Sequence, residues 1–109
     1  MGTPQQAMAE ALDRLWKQHH PQIVERVSQI ESATRALQAN ELSKDQQGQA
    51  NAAAHKLAGV LGTFGLTKGT VLAREAELLY AGDAEPDPGS VPRLHEIASE
   101  LKVLVSSRK

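Results

Sequence analysis

The sequence predicts an all-α protein: an antiparallel, up-and-down four-helix bundle with an additional short N-terminal helix. Three observations carry this. Apolar residues recur at i, i+3, i+4 and i+7 through most of the chain, and no stretch alternates with a period of two. Ala, Leu, Glu, Gln and Lys, all good helix formers, are abundant. The periodic segments are separated by short clusters of Pro, Gly, Asn and Ser, so consecutive helices must turn back antiparallel.

Residues 4–18 carry Met8, Ala11, Leu12, Leu15 and Trp16 at helical spacing. They predict a short amphipathic helix that lids one end of the core, with Trp16 as its anchor. His19-His20-Pro21 ends it, because the residue before a proline avoids the helical region. Pro21 then suits the first turn of a second helix. That helix, residues 21–39, carries the stripe Ile23, Val24, Val27, Ile30, Thr34 and Leu37 and stops at Asn40. Ser43, with Gln46 three residues on, resembles a capping box and opens the next helix. Gly65 closes it as a left-handed cap. Thr67 is the candidate cap of the following segment, with Leu66 stapled against Val71. Val71, Leu72, Ala76, Leu78 and Leu79 form its apolar side, and Arg74, Glu75 and Glu77 its solvated one. Residues 82–89 are turn chemistry without periodicity. Ser90 caps the last helix, Pro92 lies in its first turn, and Leu94, Ile97, Leu101, Leu104 and Val105 keep the spacing until the chain frays over 106–109. The expected organisation is one domain, 1–109, with a lid helix in 1–20 and the bundle in 21–107.

Composition narrows the functions. A chain of 109 residues with one Trp, one Tyr and one Phe must build one modest core from aliphatic side chains and alanine. There is no cysteine, hence no disulfide framework and no thiolate metal site. Twelve basic and 13 acidic residues give a net charge of −1, which offers no basic field for nucleic acid. No apolar run reaches membrane-span length and no signal peptide opens the chain, so a cytoplasmic location and no membrane partner are expected. A monomer is expected.

Residues 43–65, SKDQQGQANAAAHKLAGVLGTFG, organise the rest. At about 100° per residue, Gly48, Asn51, His55, Gly59 and Gly62 share one narrow sector. Ala50, Ala53, Ala54, Leu57, Val60, Leu61 and Phe64 spread around the other side. Glycine within a helix costs about 0.5–1 kcal/mol relative to alanine. Gly59 and Gly62, one and two turns beyond His55, therefore give up helix stability and leave the imidazole uncrowded.

The run from Ala54 to Gly65, AHKLAGVLGTFG, resembles the signature of histidine-containing phosphotransfer (HPt) domains. That pattern is roughly His-x-Leu-Lys-Gly-Ser-x-Gly-x-x-Gly, with an apolar residue before the last glycine. His55 matches the phosphoacceptor, and Leu57, Gly59, Gly62, Phe64 and Gly65 fall at matching offsets. Ala58 stands where the family often has lysine and Val60 where it often has a small polar residue. Lys56 points about 100° away from His55. The resemblance implies a helical phosphocarrier that takes a phosphoryl group on His55 from a receiver-domain aspartate or a sensor histidine kinase and passes it to another receiver.

The rest of the sequence agrees with a carrier that borrows its catalysis. Transfer to histidine needs an exposed, neutral imidazole nitrogen and a donor in line with it. An ordinary surface imidazole titrates near pH 6.5 and is mostly neutral at pH 7. No phosphate-binding loop, kinase loop set or carboxylate cluster is present, so no cofactor of this chain's own is expected and Mg²⁺ comes with the receiver. The expected docking footprint is Gly48, Asn51, Ala52, Lys56, Gly59 and Gly62, with no autonomous enzyme activity. The same residues admit a second reading: a helical protein–protein interaction module whose glycines let a partner helix approach, with His55 incidental. His19, His20 and His95 have no comparable context and read as surface residues.

Overall fold

The computed structural model describes residues 2–108. Within them are four α-helices and no strand: α1 (Pro4–Gln38), α2 (Lys44–Thr63), α3 (Thr67–Leu79) and α4 (Val91–Ser107), with a 3₁₀ turn, Pro88–Ser90, leading into α4. Packing runs around the ring from α1 to α2 to α3 to α4 and back to α1. The all-α four-helix bundle is thus the one read from the sequence.

The separate N-terminal helix is not. Residues 4–38 form one helix of 35 residues with Pro21 inside it. At 1.5 Å per residue it spans about 52 Å, which sets the 57 Å long axis of the molecule. Interior proline removes one backbone hydrogen bond and costs about 3 kcal/mol. The apolar phase explains why the helix survives. Trp16, Ile23, Ile30 and Leu37 repeat every seven residues and all are buried, with Val27 and Thr34 filling the turns between. Breaking the helix at Pro21 would take Trp16 out of register with Ile23. Pro21 itself is exposed, so its ring crowds no core residue.

Nor do residues 4–15 lid the core. Met8 is 67% exposed and Leu15 42%. Trp16 is the buried residue of that half, stacked edge-on against Phe64 at 5.2 Å. The Arg108 guanidinium lies over both rings, 5.0 Å from Trp16 and 5.3 Å from Phe64, and pairs with Asp13 at 3.3 Å. The C-terminal end therefore does not fray at 106–108: α4 continues to Ser107 and Arg108 pins it to α1 and α2. Lys109 lies outside the described residues.

Helix ends follow local chemistry. Asn40 and Gly65 both take positive φ, 58° and 74°. After α2, Leu66 N–H donates to Leu61 and Gly65 N–H to Gly62; after α1, Glu41 N–H donates to Ala36 and Asn40 N–H to Leu37. Both are Schellman closures. Ser43 caps α2 through Gln46 N–H, and the complete capping box is the one at Thr3 and Gln6. Thr67 is the first residue of α3 rather than its cap, and neither Leu66 nor Ser90 makes a side-chain cap bond.

The core holds more alanine than aromatic surface: Ala33, Ala50, Ala53, Ala54, Ala58, Ala73, Ala76 and Ala98 are all buried. Its buried polar groups are bonded. Thr34 Oγ1 donates to Ile30 O at 2.9 Å, which leaves Tyr80 OH to donate to Thr34 Oγ1 at 2.7 Å. The Gln47 amide faces the carbonyls of Tyr80, Gly82 and Ala84 and ties down the loop after α3.

Candidate functional site

His55 stands near the middle of α2. Ala54 and Leu57 beside it are fully buried, so α2 cannot turn without drawing them out of the core. That anchoring holds the imidazole outward, with 71% of its side chain exposed.

The ring is oriented from the neighbouring helix. Nδ1 lies 2.6 Å from Oε2 of Glu77 on α3. A carboxylate only accepts, so Nδ1 carries the hydrogen, and the lone pair of the neutral ring sits on Nε2. Glu77 is held in turn: its backbone carbonyl accepts from Asn51 Nδ2 at 2.8 Å, one turn before His55. Farther along the same seam, Thr70 Oγ1 donates to Ala58 O at 3.0 Å. The sequence placed Glu77 among solvated charges, with no link to His55. The structure corrects this, and the reason is register: α3 runs antiparallel to α2 and brings Glu77 opposite His55.

The six proposed footprint residues do not all lie alike. Gly48, Ala52 and Gly59 are exposed, and a Cβ at Gly48 or Gly59 would meet open space. Gly62 is exposed too, but a Cβ there would lie 3.3 Å from Thr70 Oγ1, so the seam between α2 and α3 already uses it. Asn51 is half-buried and bonded to α3. Lys56 lies on the α1 side, in a groove with Pro21, Gln22, Glu25, Arg26 and Gln29. Ala58, at the position of the family lysine, is buried against α3.

On α3 the expected apolar side is partly wrong. Leu72, Ala73 and Ala76 are buried with Gly69, whereas Val71 is 60% exposed and Leu78 76%. Small residues take the core face because the seam is close: a Cβ on Gly69 would lie 2.9 Å from Leu61. Val71 and Leu78, seven residues apart, are left on the outer face. Nearby, Arg93 of α4 grips Glu75 with two hydrogen bonds, 2.5 and 2.7 Å, and Glu96 with a third. The hydrogen bond to Arg93 holds the Glu75 carboxyl below its ordinary range, and the same contact raises the Arg93 guanidinium. His95 bonds Gln38 at 2.8 Å and links α4 to α1. His20 packs against Trp16.

Among the described residues, no group of three or more His, Cys, Asp or Glu could hold a metal ion, and no helix is long and apolar enough to cross a membrane. What the arrangement offers is one nucleophilic nitrogen, oriented from behind, on a smooth open face.

The family model described as Hpt domain matches residues 5–104. Over 98 residues, 90% of this chain, the sequence is 36% identical to Protein RcaC of Microchaete diplosiphon. The matched segment is 15% of that relative's length, so this chain spans only a small part of it. No solved structure matches the chain.

Proposed function

The chain belongs to the family of Hpt domains, the histidine phosphotransfer modules of two-component phosphorelays, and from that premise we propose that His55 is the residue that carries the phosphoryl group. The observation that supports this is the division of labour on its ring. Glu77 occupies Nδ1, and Nε2 stands on an open face without a protein partner among the described residues.

The chemistry follows. The Nε2 lone pair attacks the phosphorus of a receiver's aspartyl phosphate. The P–O bond breaks, and the aspartate carboxylate leaves with the electron pair. Nδ1 keeps its hydrogen, so the product ring is an imidazolium bearing the phosphoryl group on Nε2. Glu77 lies against the proton of that cation and stabilises the charge as it forms. Transfer onward is the reverse, with a second receiver's aspartate as nucleophile. The transition state is loose, and positioning and charge stabilisation supply most of the rate.

Among the described residues no group of three or more His, Cys, Asp or Glu could hold a metal ion, and we place Mg²⁺ with the receiver's acidic site. The carrier then has no autonomous catalytic activity. Gly48, Ala52, Gly59 and Gly62 form the floor on which the receiver sits, with Asn51 and Lys56 at its two edges. Val71 and Leu78 extend the footprint onto α3. One carrier and one receiver at a time fit this face, which agrees with a monomer; an intracellular location suits such partners.

The test is incubation with receiver domains charged by acetyl phosphate and Mg²⁺, followed by assay for acid-labile, base-stable phosphate on the domain. Wild type takes up label and His55→Gln, with unchanged helicity by circular dichroism, takes up none. Normal labelling of His55→Gln would overturn the assignment and favour the interaction-module reading.

A further inference from the structure

We infer that Arg74 of α3 supplies the cation for the phosphoryl group on His55. This rests on the reading of His55 as phosphoacceptor. A phosphoryl group on Nε2 would stand beside an imidazolium already paired with Glu77, so its own negative charges are left without a counterpart. Phosphoryl transfer depends on positioned positive charge, and α2 does not provide it. Ala58, one turn beyond His55, is buried and uncharged.

The cations of α2 and α3 are Lys44, Lys56, Lys68 and Arg74. Lys44 is at the far N-terminal end of α2, about 16 Å along the axis from His55. Lys56 lies in the groove beside α1. Lys68 pairs with Glu100 of α4 at 3.9 Å. Arg74 is exposed, and among the described residues no hydrogen bond or ion pair holds its side chain.

Register then places it. Thr70 is tied to Ala58, and Glu77 to both His55 and Asn51. Arg74 is one turn from each tie point, so its Cα faces the stretch of α2 from His55 to Ala58. Its neighbour Ala73 is fully buried, which puts Arg74 on the outer side of the seam, the side His55 occupies. Packed helices are about 8–10 Å apart, a span that the guanidinium stem covers across open Gly59. A guanidinium there can donate two hydrogen bonds to one phosphoryl group, which a lysine cannot match in geometry.

The experiment compares wild type, Arg74→Ala and Arg74→Lys, each phosphorylated directly by potassium phosphoramidate and again by an acetyl-phosphate-charged receiver with Mg²⁺. Phosphorus-31 NMR follows the second ionisation of the phosphoryl group on His55. With Arg74 and Glu77 as the charged groups facing it, loss of Arg74 raises the titration midpoint by roughly 0.5–1 unit, and transfer from the receiver slows about 10-fold. Arg74→Lys recovers part of both. An unshifted midpoint in Arg74→Ala, with phospho-His55 formed normally, overturns the inference while leaving His55 in place. If His55→Gln still takes up label at a histidine from the charged receiver, the underlying assignment fails instead.

Discussion

Replacing Gly59 should make the domain more stable and a worse carrier. In the structure a Cβ at this position meets nothing within 4 Å, and its φ is not positive. Alanine therefore removes the helix penalty without adding a clash, a gain of about 0.5–1 kcal/mol. For a domain of this size that is about 2–8 °C in Tm. Gly48→Ala, equally open, should gain as much. Gly62→Ala should gain less, because the new methyl meets Thr70 Oγ1 at 3.3 Å. Gly59→Leu keeps most of the stability gain but stands one turn from His55 on the same face. It should slow uptake from a charged receiver by on the order of 10²-fold, the cost of misplacing a reacting centre by about 1 Å. Urea and thermal melts give the first quantity and quenched-flow transfer the second. A Gly59→Ala domain that melts lower would mean the fold needs this glycine. A Gly59→Leu domain that melts higher and transfers at the wild-type rate would remove the face from the docking surface.

Glu77→Ala should lower the transfer rate about 10- to 100-fold, the loss of one charge-assisted hydrogen bond of about 1.5–3 kcal/mol to the forming imidazolium; receiver KM should hold steady and stability change by less than about 1 kcal/mol, because the His55 side of the pair is 71% exposed and solvent screens it. Burial pushes the Tyr80 phenol above its ordinary value, against a smaller pull from Thr34. The phenol's folded-state value exceeds its unfolded one, so its contribution is complete below the usual ionisation near pH 10 and is lost as pH rises from there. The chain has one tyrosine, so an absorbance titration at 295 nm reads this group alone and should show a midpoint above that of the urea-unfolded chain. Arg108→Ala should cost about 1–2 kcal/mol by releasing both aromatic faces and Asp13, and Trp16 fluorescence in urea measures it.

The helices were legible wherever local chemistry settles them. Ser43, Asn40 and Gly65 mark their ends by side-chain and dihedral preferences that need no tertiary partner. His55 stood out for the same reason, since the glycines beside it conflict with helix propensity. Pro21 misled because its local effect is strong, while the countervailing repeat of Trp16, Ile23, Ile30 and Leu37 is spread over three heptads. That repeat was readable and would have joined the two segments. Glu77 and Arg74 were not readable as site residues. Their relation to His55 exists only once α3 lies along α2, and nothing within residues 67–79 records that alignment. Val71 and Leu78 were put inside because they are large and apolar; the close seam instead selects Gly69, Ala73 and Ala76.

The fastening of Ala54 and Leu57 beneath His55 has a consequence for how such a protein signals. Cargo added to the outer nitrogen touches no interior group and asks no helix to shift. On the proposed reading the loaded and unloaded molecules should then share one shape, with information passed by delivery rather than by a change of posture. A domain of this kind informs only the protein it meets next.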